Sequence, residues 1–219
     1  MRVKFHQNLD GLKERLLVMA GLAEQAIQRA TEAYRTRDFS LADLVFQSEP
    51  AINRMEREID ELAYELLATE QPMAIDLRFI LAVIRINADV ERVGDQAVNI
   101  AARAVEMGAH ANPDLPVDIP KLASLAQAMV RKSLQSFIEA DAEMARSVLT
   151  MDDEVDAMNK AAYGALTEII TRQPELTPQA LNVLIIARNL ERVGDHATNI
   201  AEDVIFWVQG SDVRHSSMD

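Results

Sequence analysis

The chain is predicted to be all-α, with six long helices forming two tandem, pseudo-symmetric three-helix bundles. Three observations predict this. Only 7 Gly and 7 Pro occur in 219 residues, while Ala, Leu, Glu, Arg and Met, all strong helix formers, dominate. The helix breakers fall where an apolar period of about 3.6 residues is interrupted. A helical segment of the first half also recurs in the second.

The first helix is expected over residues 8–36 and the second over 39–70. Pro50 falls inside the second, which predicts either a kink or a fresh start capped by Ser48. Pro72 marks a hairpin turn into the third helix, 75–108. From His110 to Pro120 the chain holds Pro113, Pro116, Asn112, Asp114 and Asp118 and has no helical period, so it divides two domains, 1–110 and 111–219. The fourth helix, 120–139, and the fifth, 141–172, follow. Pro174 and Pro178 mark the turn into the sixth, 178–209, with Thr177 as the expected N-cap and Pro178 at the first helical position, where its missing N–H costs nothing. At a rise of about 1.5 Å per residue the longer helices run roughly 45 Å. Most of the ten methionines, among them Met19, Met55, Met129, Met144 and Met158, sit at core spacing, and Trp207 reads as a packing anchor. Gly210 to Asp219 reads as a frayed polar tail.

The repeat is the strongest signal. Glu91-Arg-Val-Gly-Asp95 returns unchanged as Glu191-Arg-Val-Gly-Asp195, and nine of the eleven positions from 91 to 101 agree at an offset of 100. Upstream the offset becomes 103, pairing Tyr34 with Phe137, Asp38 with Asp141, Ile52 with Val155 and Met55 with Met158. Residues four apart share a helix face, so Glu91 stacks on Asp95 and Glu191 on Asp195, on a stripe continued by Ile84, Ala88, Val98 and Ala102 that reads as half-buried. Half-buried paired carboxylates call for a cation. Either arginine supplies it, through Arg92–Asp95 and Arg192–Asp195 pairs at i,i+3, or a metal ion does. Gly94 and Gly194 lie between the acids despite costing about 1 kcal/mol against alanine in a helix. With Val90, Ala97 and Ala101, and with Leu190, Ala197 and Ala201, they form a smooth stripe for close helix packing.

A second acidic group, Asp152, Asp153, Glu154 and Asp156, lies on the fifth helix. If that helix runs antiparallel to the sixth, Asp152 and Asp156 meet Glu191 and Asp195. The aligned first-half positions, Glu49, Pro50 and Asn53, are poorer in charge. An all-oxygen set suits magnesium, manganese or iron better than zinc. His196 points about 100° away from Asp195 and reads as a surface or packing residue.

Several classes are excluded. A net charge of −13, from 22 Lys+Arg and 35 Asp+Glu, repels phosphates and argues against nucleic acid. With no cysteine there is no disulfide scaffold, thiolate metal site or cysteine nucleophile, which fits a reducing compartment. The opening MRVKFHQNLD has no signal-peptide core, and the longest nearly apolar stretch, Phe79 to Ile86, falls far short of the roughly 20 residues of a membrane span, so a cytoplasmic chain is expected. Phosphate-loop, H-E-x-x-H, G-x-S-x-G and dinucleotide motifs are missing, as is the Glu-x-x-His of di-iron bundles.

The duplicated E-R-V-G-D-x-A-x-N-I-A, the preceding Leu77-Arg-Phe-Ile-Leu-Ala-Val-Ile-Arg-Ile-Asn, the opening Phe5-x-x-x-Leu9 and the tandem three-helix units together resemble the PhoU family of phosphate-signalling regulators. The resemblance covers residues 1–210. It implies a cytoplasmic, non-enzymatic, commonly homodimeric negative regulator of the phosphate-starvation response. Such a protein links the ATPase subunit of the phosphate-specific ABC transporter to the sensor histidine kinase. It also implies metal clusters at E/D-x-x-x-D motifs, here Glu91 and Asp95 with Glu191 and Asp195, and Asp152 and Asp156 as partners; Glu49 and Asn53 depart from the pattern. Two alternatives remain: a metal-dependent hydrolase or oxidase that activates water on these carboxylates, and a purely structural helical protein.

Overall fold

A computed structural model describes residues 2–109, 113–211 and 213. Six α-helices follow in order: α1 (Arg2–Thr36), α2 (Ser40–Glu70), α3 (Ile75–Met107), α4 (Ile119–Glu139), α5 (Ala142–Arg172) and α6 (Thr177–Gln209). A 3₁₀ turn, Pro174–Leu176, precedes α6. Helix α1 starts six residues before its expected position because Phe5 and Leu9 already continue its apolar stripe into the core.

Each half is a three-helix bundle, α1 with α2 and α3, and α4 with α5 and α6. The bundles join mainly through α3 and α6, the most extensive helix pair, and secondarily through α1 and α4. The α3–α6 pair is antiparallel: Arg78 Nε donates to the Trp207 carbonyl, Arg85 pairs with Asp203 at 3.0 Å, and Asp89 meets Asn199 and His196. Helices α2 and α5 therefore flank a four-helix centre from opposite sides. Leu12, Leu16, Met19, Ile80, Ile86, Ile100 and Phe137 are fully buried in the shared core. Met129 is fully buried too, and Met55, Met158 and Trp207 pack against the core from partly buried positions.

The duplication extends to the turns. Arg37 (φ 59°) and Ala140 (φ 54°) each close a helix in the left-handed conformation. Each is followed by an aspartate that accepts from backbone N–H groups at the start of the next helix, Asp38 from Ser40 at 3.1 Å, one residue ahead of the N-cap position, and Asp141, the N-cap of α5, from Glu143 and Met144 at 2.9 and 3.0 Å.

One expectation about the prolines is narrowed and another is corrected. Helix α2 runs unbroken through Pro50, and the Ser48 hydroxyl donates to the Val45 carbonyl, so Ser48 caps no fresh start. Thr177 makes no side-chain cap hydrogen bond and is itself the first residue of α6, because the 3₁₀ turn from Pro174 already delivers the chain in helical geometry. Of the expected boundary, His110, Ala111 and Asn112 lie outside the described residues, as do residues 212 and 214–219 of the tail. The described part of the boundary ends on Asp118, whose carboxylate caps α4 by accepting from the Lys121 N–H at 2.9 Å. No described helix is long and apolar enough to cross a membrane.

Candidate functional site

Helix α3 carries the first acid ladder as its sequence requires. Ile84, Ala88, Glu91, Asp95, Val98 and Ala102 are all half-buried, while Val90, Gly94, Ala97 and Ala101 on the adjoining face are buried. A Cβ on Gly94 would lie 3.1 Å from Ile52 Cδ1, and one on Gly194 would lie 3.4 Å from Val155 Cγ1. Each glycine thus lets the flanking helix, α2 or α5, approach the ladder closely, and it contacts residues that the repeat pairs with one another. On α6, Glu191 is half-buried and Asp195 lies at the solvent edge.

The two ladders face different surroundings. In the second half, α5 runs back along α6 and sets Asp152 and Asp156 against Glu191 and Asp195. Burial, and then the negative charges of Asp156, Asp195, Asp153 and Glu191, push Asp152 up to about 6. Burial followed by Asp195 raises Glu191, and burial followed by Asp156 raises Asp195, with Arg188 and Arg192 partly offsetting both. Asp152 Oδ1 is buried without a hydrogen-bond partner and would lie 3.5 Å from a Cβ on Gly194.

In the first half, burial raises Glu91, and the charges of Asp95 and Glu56 act in the same direction. The α2 acid that acts on Glu91 is Glu56; Glu49 and Asn53, which align with Asp152 and Asp156, exert no such effect. Sequence alignment of the halves therefore placed the first-half partner about two turns too early. The signal was available, since Asn53 and Glu56 share a helix face at i,i+3.

None of Glu91, Asp95, Asp152, Asp156, Glu191 and Asp195 forms an ion pair among the described residues. The expected Arg92–Asp95 pair gives way to Arg92–Asp89 at 3.6 Å, because Asp89 is the more deeply buried carboxylate. Asp89 also accepts from Asn199 Nδ2 at 3.2 Å and lies 2.8 Å from His196 Nδ1. His196 is thus a packing residue between the two halves, and it offsets a small part of the upward shift at Glu91 and Asp195. This cross-bundle link left no clear trace in the sequence, since Asn189 and Gln96 stand at the matching positions of the repeat.

The arrangement is an anionic, oxygen-only face on each bundle. The residues of the second half fit a hard cation in chemistry: four carboxylates from two antiparallel helices, one oxygen buried without a partner, and no arginine clasping them. As they stand, no group of three His or acidic side chains among the described residues is gathered closely enough to hold an ion.

The raised Asp152 has a measurable consequence. A carboxyl group whose folded pKa exceeds its unfolded value near 3.8 destabilises the fold above its folded pKa, about 6, and ceases to do so as pH falls toward 3.8. Metal-free protein should gain about 1 kcal/mol from this group between pH 7 and pH 4.5, the modest figure reflecting solvent screening at a partly exposed site. Asp152→Asn should raise the melting temperature at pH 7 and reduce that gain; an unchanged pH profile would contradict the crowding of charge around Asp152.

The PhoU domain family matches residues 16–104 and 119–204. A PhoU homolog from Pseudomonas aeruginosa, named as a phosphate-specific transport system accessory protein, is 38% identical over 213 residues, covering 97% of this chain and 88% of the relative. The accessory protein PhoU of Serratia marcescens is 33% identical over 219 residues, covering 99% of this chain and 89% of that one. The crystal structure of PhoU from Pseudomonas aeruginosa superposes with a TM-score of 0.92 at 38% identity, over 94% of this chain and all of that one. That of the phosphate transport system regulatory protein PhoU from Streptococcus pneumoniae gives 0.83 at 25% identity, over 95% and 99%.

Proposed function

The chain belongs to the PhoU family, and on that footing we propose that it is a cytoplasmic accessory regulator of phosphate transport that represses the phosphate-starvation response when phosphate is plentiful. It acts as an adaptor, without catalysis, between the ATPase subunit of the phosphate-specific ABC transporter and the sensor histidine kinase, and works as a homodimer. The observation that carries the reading is similarity over nearly the whole chain to proteins named for that transport system. The duplicated architecture supports it, because an acid ladder on each bundle gives one molecule two related anionic surfaces.

Glu191, Asp195, Asp152 and Asp156 would hold a magnesium, manganese or iron ion in the second half, and Glu91 and Asp95, with Glu56, a weaker one in the first. Such an ion supplies positive charge that neutralises the mutually repelling acids and turns the face into a docking surface for anionic groups. The fully acidic set of α5 and α6 supports stronger binding there.

Deleting the gene should switch on phosphate-starvation promoters in phosphate-rich medium; unchanged reporter output would refute the regulatory reading. Elemental analysis of protein purified without chelator tests the metal. We expect Glu191→Ala with Asp195→Ala to remove most of it. Metal-free wild type that also binds none on titration would refute this part alone.

A further inference from the structure

Beside the second acid ladder a cleft of about 420 Å³ opens between α5 and α6. Its lining changes character along its length. At one end stand Asp156 and Glu191; in the middle, Lys160 on α5 and Arg188 on α6; at the other end Tyr163, 63% exposed, faces Leu184. Lys160 and Arg188 take part in no ion pair among the described residues, so both retain free N–H donors. Seven residues separate Asp156 from Tyr163, and seven separate Leu184 from Glu191, so the two ends lie roughly 10 Å apart along each helix.

We propose that this cleft binds a nucleoside polyphosphate as its complex with a divalent cation. The order of groups matches that ligand end to end. An aromatic base stacks on Tyr163 with Leu184 beneath it, phosphate oxygens accept from Arg188 and Lys160, and the chelated cation faces Asp156 and Glu191, which would repel the phosphates without it. The volume lies within the range of small-ligand sites.

The cleft is not a by-product of the duplication. At the matching first-half positions Ala88 replaces Arg188 and Asp60 replaces Tyr163, and Asp60 is engaged in accepting from Asn87 Nδ2 at 3.0 Å. Arg57 stands where Lys160 does, so the acid ladder and that cation are common to both halves, whereas Arg188 and the ring at the Tyr163 position belong to the second alone.

The inference rests on the cation reading of the α5–α6 acids, and calorimetry on the full chain separates the two. Titration with magnesium or manganese alone reports on the acids; titration with ATP in the presence of the metal reports on the cleft. We expect saturable binding of the ATP complex, lost with chelator. Arg188→Ala, which recreates the first-half residue at an exposed position, should weaken it about tenfold. Tyr163→Ala should weaken it about tenfold while leaving metal–tripolyphosphate unaffected, since stacking on a ring requires a base. Lack of saturation with ATP, affinity unchanged by Arg188→Ala, or tripolyphosphate binding as tightly as ATP would each overturn the proposal. Metal binding without ATP binding would overturn it and leave the cation reading intact.

Discussion

Phe137→Ala should lower the stability of the chain by about 3–5 kcal/mol, the range for removing a fully buried aromatic side chain. For a domain of this size that corresponds to a fall in melting temperature of roughly 10–15 °C. The large value follows from what the ring touches. Phe137 on α4 stacks on Phe79 of α3 at 5.9 Å between centroids and meets Trp207 of α6 at 5.3 Å; Phe79 and Trp207 pack edge to face at 5.1 Å. Lys13 of α1 lies over the same ring and donates to the Ile138 carbonyl at 2.8 Å. Four helices from both halves therefore meet at one side chain. At the pseudo-equivalent end the residues are Tyr34, Met107 and Gln179, so Tyr34→Ala, at a partly buried position, should cost about half as much. Equal losses at the two positions, measured by urea unfolding, would show that the aromatic cluster adds nothing beyond its size.

That end of the molecule also shows how far the sequence could be read. Trp207 was legible as an anchor because a lone large ring at core spacing has few other uses. Its partners were not, since Phe79 and Phe137 are 58 residues apart and no periodicity says which helices meet. The helices themselves were plain, because a 3.6-residue apolar period is a local property and Pro and Gly punctuate it. The error fell where a local rule yields to its surroundings: Thr177 is drawn into the first turn of α6, while at Pro50, where a kink or a fresh start was open, α2 does not restart.

The acid ladders were legible in the same way, as i,i+4 pairs repeated at an offset of 100, and so was the approach of α5 to α6 that sets Asp152 and Asp156 against Glu191 and Asp195. In the first half, substitution has broken the internal match. With Glu49 and Asn53 in the aligned places, the alignment itself did not point to Glu56; the i,i+3 face it shares with Asn53 offered the one sequence signal, and the packing of α2 on α3 makes it decisive. The Asp89–His196 contact was hidden for a related reason: it joins two halves whose counterparts, Asn189 and Gln96, carry no charge.

Removing Asp89 is the second large effect expected. Asp89 is buried at the α3–α6 contact, where it accepts from Asn199 Nδ2, lies 2.8 Å from His196 Nδ1 and has Arg92 at 3.6 Å. Asp89→Ala leaves two donors between the halves without an acceptor and should cost about 2–3 kcal/mol. Asp89→Asn keeps one acceptor oxygen and should cost about 1 kcal/mol. The symmetry-related position cannot compensate, because Asn189 Nδ2 donates to the Ile185 carbonyl on its own helix and Gln96 Oε1 is buried without a partner. A double-mutant cycle with His196→Ala isolates the link between the halves. If the contact holds them together, the cycle should return a coupling above about 0.5 kcal/mol, since with the imidazole already gone Asp89→Ala has less to lose. Strictly additive losses would mean that Asp89 is stabilised within its own bundle, by Arg92, and that the two halves are joined by apolar contact and the Arg85–Asp203 pair instead.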